Sequence, residues 1–197
     1  MFLKEFSSYV DNDTIIYNSD KLGKLPLVIY GLSGSGKTTI LNNILAKDSR
    51  YKSFSIDQIA IDHNTKNTTA ITIQEILDII KKEFIDKPSR YKILEGLQIS
   101  YYTDHDDRKY IRDKLLTYPT VVLGTSRFKS IYRASLRNIN TSGSIGQGIF
   151  QAVIFNHQIM VDKAIKYLDE LKEKSTEEKV YNIDELFLKE NHNIFLR

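Results

Sequence analysis

Short apolar runs alternate with longer stretches of helical periodicity along this chain. The runs that predict strands are residues 14–17, 25–30, 54–57, 91–96, 120–124 and 180–183. The run at 25–30 is apolar without alternation, which is typical of a strand covered on both faces. The run at 14–17 is a candidate for a short edge strand.

Between these runs the apolar residues recur every three to four positions, which predicts helices. The helical candidates span residues 36–47, 73–84, 106–116, 128–137 and 149–174. Thr72 and Glu75 form a capping-box pattern at the start of the second helix. The polar segments 64–70 and 138–148 are expected to be loops, and the second is glycine-rich enough to suggest a mobile connection.

Strands that alternate with helices predict an α/β fold with three layers and a mainly parallel sheet of about five strands. Ligands of such sheets bind at the carboxyl ends of the strands. We expect residues 1–24 to be an N-terminal extension and residues 25–197 to form one domain.

Composition narrows the class of protein only a little. The net charge of +3 permits an anionic substrate but does not by itself indicate nucleic acid, and the absence of cysteine excludes disulfides and thiolate metal sites. No apolar run approaches the roughly 20 residues of a membrane span. The first residues include Glu5 and lack an extended apolar segment, so they do not resemble a secretory signal. Together with the phosphate-binding pattern described next, the lack of an export signal predicts a cytoplasmic protein.

The most informative segment joins the strand at 25–30 to the helix at 36–47. Residues Gly31 to Thr38 match the phosphate-binding pattern G-x-x-x-x-G-K-[ST] at every fixed position. In such a loop backbone N–H groups surround a phosphate, and the start of the helix adds its positive dipole. Lys37 is predicted to reach the outer phosphates and the Thr38 hydroxyl to ligate Mg²⁺. The residues assigned to the nucleotide, ATP, are Gly31, Ser33, Gly34, Ser35, Gly36, Lys37, Thr38 and Thr39.

Two carboxylates follow predicted strands near this loop. Asp57 lies twenty residues after Lys37, at the predicted end of the strand at 54–57, where a carboxylate can orient an acceptor hydroxyl and take its proton. The alternative is an aspartate that caps the following turn. Glu95 ends the strand at 91–96, where it can hold Mg²⁺ or contact substrate, or only accept backbone hydrogen bonds. Gln98 follows on the same loop and can bind substrate.

The segment from Gly31 to Asp57 resembles the small P-loop kinases, particularly the polynucleotide 5′-hydroxyl kinase and zeta-toxin group. The remaining elements are similar in order to adenylate kinase-like proteins. The resemblance implies that Asp57 is the general base. This chain departs from the group because no basic residue stands between Asp57 and His63.

The resemblance also suggests a lid over about 127–148. Lys129, Arg133 and Arg137 share one face of the predicted helix at 128–137, and related kinases carry arginines there that close over the phosphates. Arg133 and Arg137 are the predicted catalytic cations, with residues 141–148 as a hinge. The alternative is a solvated basic face.

Together these patterns predict an ATP- and Mg²⁺-dependent phosphotransferase that acts on a hydroxyl of a nucleoside, nucleotide or polynucleotide. One alternative is a nucleoside monophosphate kinase, in which Asp57 would bind the acceptor. Another is a nucleotide-hydrolysing ATPase module that acts through a partner. A GTPase is disfavoured, because residues 64–67 end in Asn where the guanine-recognition pattern N-K-x-D requires Asp.

Overall fold

A computed structural model describes residues 13–66, 70–125, 127–155 and 157–182. Parts of three predicted segments lie outside the described residues. They are the first twelve residues of the expected N-terminal extension, residues 67–69 of the expected loop and the end of the last expected strand.

The described residues build an α/β fold around one six-stranded sheet. Its strands are β1 (Asp13–Tyr17), β2 (Leu27–Gly31), β3 (Lys52–Ser55), β4 (Lys92–Glu95), β5 (Thr120–Leu123) and β6 (Glu178–Asn182). The spatial order is β3-β4-β2-β5-β1-β6; the first four strands are parallel, and β1 is antiparallel to both β5 and β6. The predicted α/β class and the mainly parallel sheet are confirmed, with six strands rather than about five.

Helices connect the strands and flank the sheet. They are α1 (Lys37–Lys47), α2 (Ile56–Lys66), α3 (Ile73–Ile80), α4 (Ile99–Tyr102), α5 (Lys109–Leu115), α6 (Arg127–Ser142), α7 (Ile145–Phe155) and α8 (Gln158–Lys174). The predicted capping box is present at the start of α3, and a π-helical turn continues that helix to Asp86. Within the described segments, no helix has the length and apolar character that crossing a membrane requires.

Both faces of the sheet are covered, as the side chains of β2 show. Val28 and Tyr30 lie in one apolar core with residues of α3, α5 and α8, and Leu27 and Ile29 lie in a second core with residues of α1. A central parallel strand has no solvent-facing side, so its residues are apolar without alternation. This packing fixes β2, and therefore the loop that follows it, at the centre of the molecule.

The expectation of an edge strand at 14–17 is wrong. β1 lies inside the sheet, because β5 pairs with one side of it and β6 with the other. Thr14 and Ile16 are fully buried there. A run of four residues does not reveal how many neighbours a strand has, since that depends on a strand far along the chain.

The expected mobile connection at 138–148 is mostly helical. α6 continues to Ser142 and α7 begins at Ile145, so the predicted hinge at 141–148 reduces to a tight turn at Gly143, whose φ is +67°. Gly148 lies against the backbone of Ile139, where an added Cβ would be 2.7 Å from its nitrogen. These glycines therefore permit a turn and a close helix contact rather than disorder.

The single helix expected at 149–174 is instead divided into α7 and α8. His157 precedes α8 with extended backbone, and its Nδ1 accepts a hydrogen bond from the backbone N–H of Ile159 (3.4 Å). The first backbone N–H groups of a helix have no partner within the helix. The imidazole of His157 provides a partner for one of them. The apolar periodicity continues across the break, and this is why the pattern alone did not reveal it.

Arg112 of α5 is a buried cation that ties three helices together. Its Nε donates to Glu170 Oε2 of α8 (2.6 Å), and its Nη1 donates to the carbonyl of Ser100 in α4 (2.9 Å). Its guanidinium carbon lies 5.0 Å from the centre of the Tyr167 ring. The residue is only 5% exposed, so these contacts offset the cost of removing its charge from water.

We expect Arg112→Met to lower the free energy of unfolding by about 3 kcal/mol, because one partner of a buried ion pair is removed and the Ser100 carbonyl loses its donor. Urea unfolding measures this loss. Arg50→Met is the matched control: Arg50 pairs with Asp48, and its side chain is 65% exposed, so the change costs at most about 1 kcal/mol. Equal losses in the two variants would contradict this assignment.

Candidate functional site

The loop between β2 and α1 curls back on itself at two glycines. Gly34 and Gly36 have φ values of +84° and +101°, in the left-handed region that other residues avoid. The backbone N–H of Ser35 donates to the carbonyl of Leu32 (3.1 Å), which closes the turn. α1 then begins at Lys37, so its positive N-terminal end faces the space that the loop encloses.

Lys37 is buried under this loop. Its Nζ donates to the carbonyls of Gly31 (3.0 Å) and Leu32 (3.1 Å) and lies 3.7 Å from Glu95 Oε1. Burial lowers the pKa of Lys37, while the Glu95 and Asp57 carboxylates oppose that shift. Burial disfavours the charged form of the Lys37 amine. A phosphate group nearby would stabilise that charged form.

Glu95 reaches Lys37 because of the strand order. β4 pairs with β2 in parallel, and the register places Glu95 beside Ile29, two residues before the loop begins. The prediction that the strand ending in Glu95 lies beside the strand before the glycine-rich loop is confirmed. The side chains of Lys37 and Glu95 are 9% and 7% exposed, so the pair lies in a setting where electrostatic interactions are stronger than in water.

The hydroxyl-bearing residues of the loop differ in exposure. Thr38 and Thr39 are exposed in the first turn of α1, where their side chains are accessible to a ligand. Ser35 is buried, and its Oγ has no hydrogen-bond partner among the described residues. Buried polar atoms are usually paired, so the hydroxyl of Ser35 is an exception within this loop.

Asp57 lies on the same side of the loop as Glu95. The sequence predicted that Asp57 ends a strand, and the structure differs. β3 ends at Ser55, and Asp57 occupies the first turn of α2 rather than the strand. A carboxylate is favoured there by the helix dipole. Its Oδ1 accepts a hydrogen bond from Gln98 Nε2 (2.5 Å), and its side chain is exposed.

A basic helix lies on the other side of the loop. β5 follows β2 in the sheet, and α6 begins just beyond its end, so α6 passes directly over Gly34. A Cβ added to Gly34 would be 2.6 Å from the carbonyl oxygen of Ser130 and 3.2 Å from the nitrogen of Ala134. Arg137 Nη2 donates to Ser33 Oγ (3.4 Å), which brings one predicted cation to the loop.

Arg133 is the second predicted catalytic cation. Its Cβ lies near Gly34, and its side chain is exposed. Lys129 is also exposed on α6. The structure therefore brings the α6 arginines to the loop between β2 and α1, although the helix that carries them is longer than predicted.

We expect Gly34→Ala to separate α6 from the loop and to lower stability. The added Cβ meets backbone atoms, which cannot rotate away, and the positive φ adds about 1–3 kcal/mol of strain. Gly143→Ala is the control, because Gly143 also has a positive φ but nothing lies within 4 Å of an added Cβ. Urea unfolding of both variants should show a larger loss for Gly34→Ala, and equal losses would contradict direct packing of α6 on the loop.

Sequence reasoning missed three participants in this site. Ser130 and Ala134 contact the loop through backbone atoms, which leave no signal in residue type. Gly96 follows Glu95 and allows the next loop to approach Ile56: an added Cβ would be 3.0 Å from Ile56 Cδ1. A glycine directly after a strand-end acid was the available signal for this close approach.

Comparison with protein-family models, with curated proteins and with solved structures gave no match to this chain. The loop and the side chains that surround it are therefore the basis for the function.

Proposed function

We propose that this protein is an ATP- and Mg²⁺-dependent phosphotransferase that transfers the γ-phosphate to a hydroxyl of a nucleoside, nucleotide or polynucleotide. One observation carries the proposal: the loop from Gly31 to Thr38 stands between an exposed carboxylate, Asp57, and a basic helix, α6. Phosphoryl transfer needs these parts, namely a phosphate cradle, a group that orients the nucleophile and cations that neutralise the transferred group.

The nucleotide side of the proposal rests on the loop and Lys37. The two glycines in the left-handed region allow backbone N–H groups to turn inward, and Lys37 is already held beneath them. We infer that the β- and γ-phosphates replace the carbonyls of Gly31 and Leu32 as partners of the Lys37 ammonium. We also infer that the sheet and its helices form an adenylate kinase-like P-loop fold and that the protein acts in the cytoplasm.

The metal side of the proposal rests on oxygen donors, which Mg²⁺ prefers. Thr38 has an exposed hydroxyl in the first turn of α1, and the Glu95 carboxylate lies beside Lys37. Bound Mg²⁺ would neutralise charge on the phosphates. Once a phosphate partners Lys37, Glu95 is released from that role and can face the metal, directly or through water.

The acceptor side of the proposal rests on Asp57. Its carboxylate is exposed on the β3–β4 side of the loop, whereas the α6 arginines lie on the β5 side. The acceptor hydroxyl thus approaches from one side, and Arg133 and Arg137 approach the transferred group from the other. Arginine suits that role because its charge is permanent and its planar fork matches phosphate oxygens.

Tyr101 and Tyr102 of α4 stand near Asp57 and are half-buried, with ring centres 5.0 Å apart. Burial raises the pKa of both hydroxyls, and the Asp57 carboxylate raises both further. Both therefore stay neutral at physiological pH. Aromatic rings at this place favour an acceptor with a flat ring, such as a nucleoside.

The experiment is a transfer assay with γ-labelled ATP and Mg²⁺ over a panel of nucleosides, nucleoside monophosphates, and DNA and RNA with 5′-hydroxyl ends. The proposal predicts label on a hydroxyl of at least one acceptor. Label only on the phosphate of a monophosphate would instead establish a nucleoside monophosphate kinase. Label only in inorganic phosphate would establish a hydrolase, and either result overturns the proposal.

A further inference from the structure

The side chain of Gln98 makes a hydrogen bond that crosses from one strand end to another. Its Nε2 donates to Asp57 Oδ1, which links the loop after β4 to the first turn of α2. The two residues are separated by 41 positions in the chain, so the bond does not arise from local helix geometry. Within the described part of the chain, Oδ2 of Asp57 accepts no hydrogen bond.

The surrounding backbone holds Gln98 in this position. An added Cβ at Gly96 would be 2.9 Å from Gln98 Oε1, so the amide oxygen rests against the glycine while the nitrogen faces Asp57. The carbonyl of Gln98 accepts from the backbone N–H of Tyr102 (2.9 Å). The next residue, Ile99, is fully buried and fixes the start of α4 in the core.

We propose that Gln98 is a positioning residue for Asp57 in the transfer reaction. By occupying Oδ1 it orients the carboxylate, so that Oδ2 faces the acceptor. As the acceptor oxygen bonds to the γ-phosphorus, its proton passes to Oδ2 and the bond to the β,γ-bridging oxygen breaks, which releases ADP. This inference rests on the proposed function, since it assumes that Asp57 receives a hydroxyl proton.

A positioning role differs from a binding role in what it changes. A carboxylate that rotates away from the hydroxyl slows the chemical step, whereas a lost contact with the acceptor weakens acceptor binding. Misplacing a reacting group by about 1 Å can cost about 100-fold in rate. A positioning role therefore predicts a lower kcat with little change in KM for either substrate.

The test compares Gln98→Leu and Gln98→Glu with a matched control, Gln58→Leu. Gln58 Nε2 donates to Asp62 Oδ1 (2.6 Å) one turn further along α2, so it forms the same kind of bond outside the site. We expect Gln98→Leu to lower kcat by about 10- to 100-fold, with both KM values within about twofold, while Gln58→Leu leaves kcat unchanged.

Gln98→Glu adds a pH signature that a purely structural role would not produce. When ionised, the introduced carboxylate repels Asp57; when protonated, the introduced carboxyl can donate to Oδ1 as the amide does. Relative to wild type, the kcat of Gln98→Glu should therefore recover as the pH falls. In an Asp57→Asn background, Gln98→Leu should cause no further loss, because there is no base left to position.

Three results would overturn the inference. They are an unchanged kcat in Gln98→Leu, a rise in acceptor KM at constant kcat, and a full additional loss in the Asp57→Asn background. Failure of the proposed function looks different, because wild-type protein would then transfer no label to any hydroxyl. That result would overturn both the proposed reaction and the positioning role. Normal transfer by the wild type together with an unchanged kcat in Gln98→Leu would overturn the positioning role alone.

Discussion

Lys37→Met is expected to lower the rate of phosphate transfer by about 10²–10³-fold, the cost of losing one preorganised group that stabilises developing charge. Methionine retains most of the buried volume but cannot donate to a phosphate. The measurement is single-turnover transfer from γ-labelled ATP. Lys47→Met, at the exposed end of the same helix, is the control and should transfer at the wild-type rate.

The lowered pKa of Lys37 gives this prediction a pH dependence. Phosphate binds the ammonium form, and burial favours the neutral amine before the nucleotide arrives. ATP affinity should therefore weaken as the pH rises through that lowered pKa, at lower pH than for an ordinary lysine. The dependence should disappear in Lys37→Met. If Lys37→Met bound ATP and transferred phosphate normally, the loop would not be the phosphate site.

Asp57→Asn is expected to lower transfer by about 10²–10⁴-fold, because asparagine has the shape of aspartate but cannot accept the hydroxyl proton. ATP affinity should stay near the wild-type value, since Asp57 lies beside the loop rather than in it. Transfer kinetics and equilibrium ATP binding measure the two effects separately.

Asp62→Asn is the matched control, because Asp62 also accepts a glutamine hydrogen bond on α2. Its transfer rate should be unchanged. Transfer that survives in Asp57→Asn would remove the general-base assignment and favour an acceptor that needs no base, as a phosphate acceptor would. ATP hydrolysis that survives while transfer is lost would support the assignment, because water would then replace the positioned hydroxyl.

The sequence predicted those parts of the site that depend on local patterns. The glycine spacing around Lys37 reflects backbone angles that few other residues adopt, so the motif identified the loop and the helix start. Glu95 was correctly expected beside the loop, because parallel strands end at one edge of the sheet. The capping box at Thr72 was equally local, and the structure confirms it.

The remaining features depend on contacts between distant segments. β1 is internal only because β6 pairs with it, and no pattern near residue 14 encodes that partner. The glycine-rich segment near residue 143 forms helices because Gly148 packs on Ile139, so tertiary contact overrides low helix propensity. The bond between Gln98 and Asp57 likewise depends on how closely the loop after β4 approaches α2.

The most direct test of the proposed transfer measures ADP and labelled acceptor together in one reaction with γ-labelled ATP, Mg²⁺ and the best acceptor of the panel. We expect equal amounts of ADP and of acceptor labelled on its hydroxyl, with both falling together in Lys37→Met and the labelled acceptor falling in Asp57→Asn. ADP accompanied only by labelled inorganic phosphate, whatever acceptor is present, would contradict the proposed transfer.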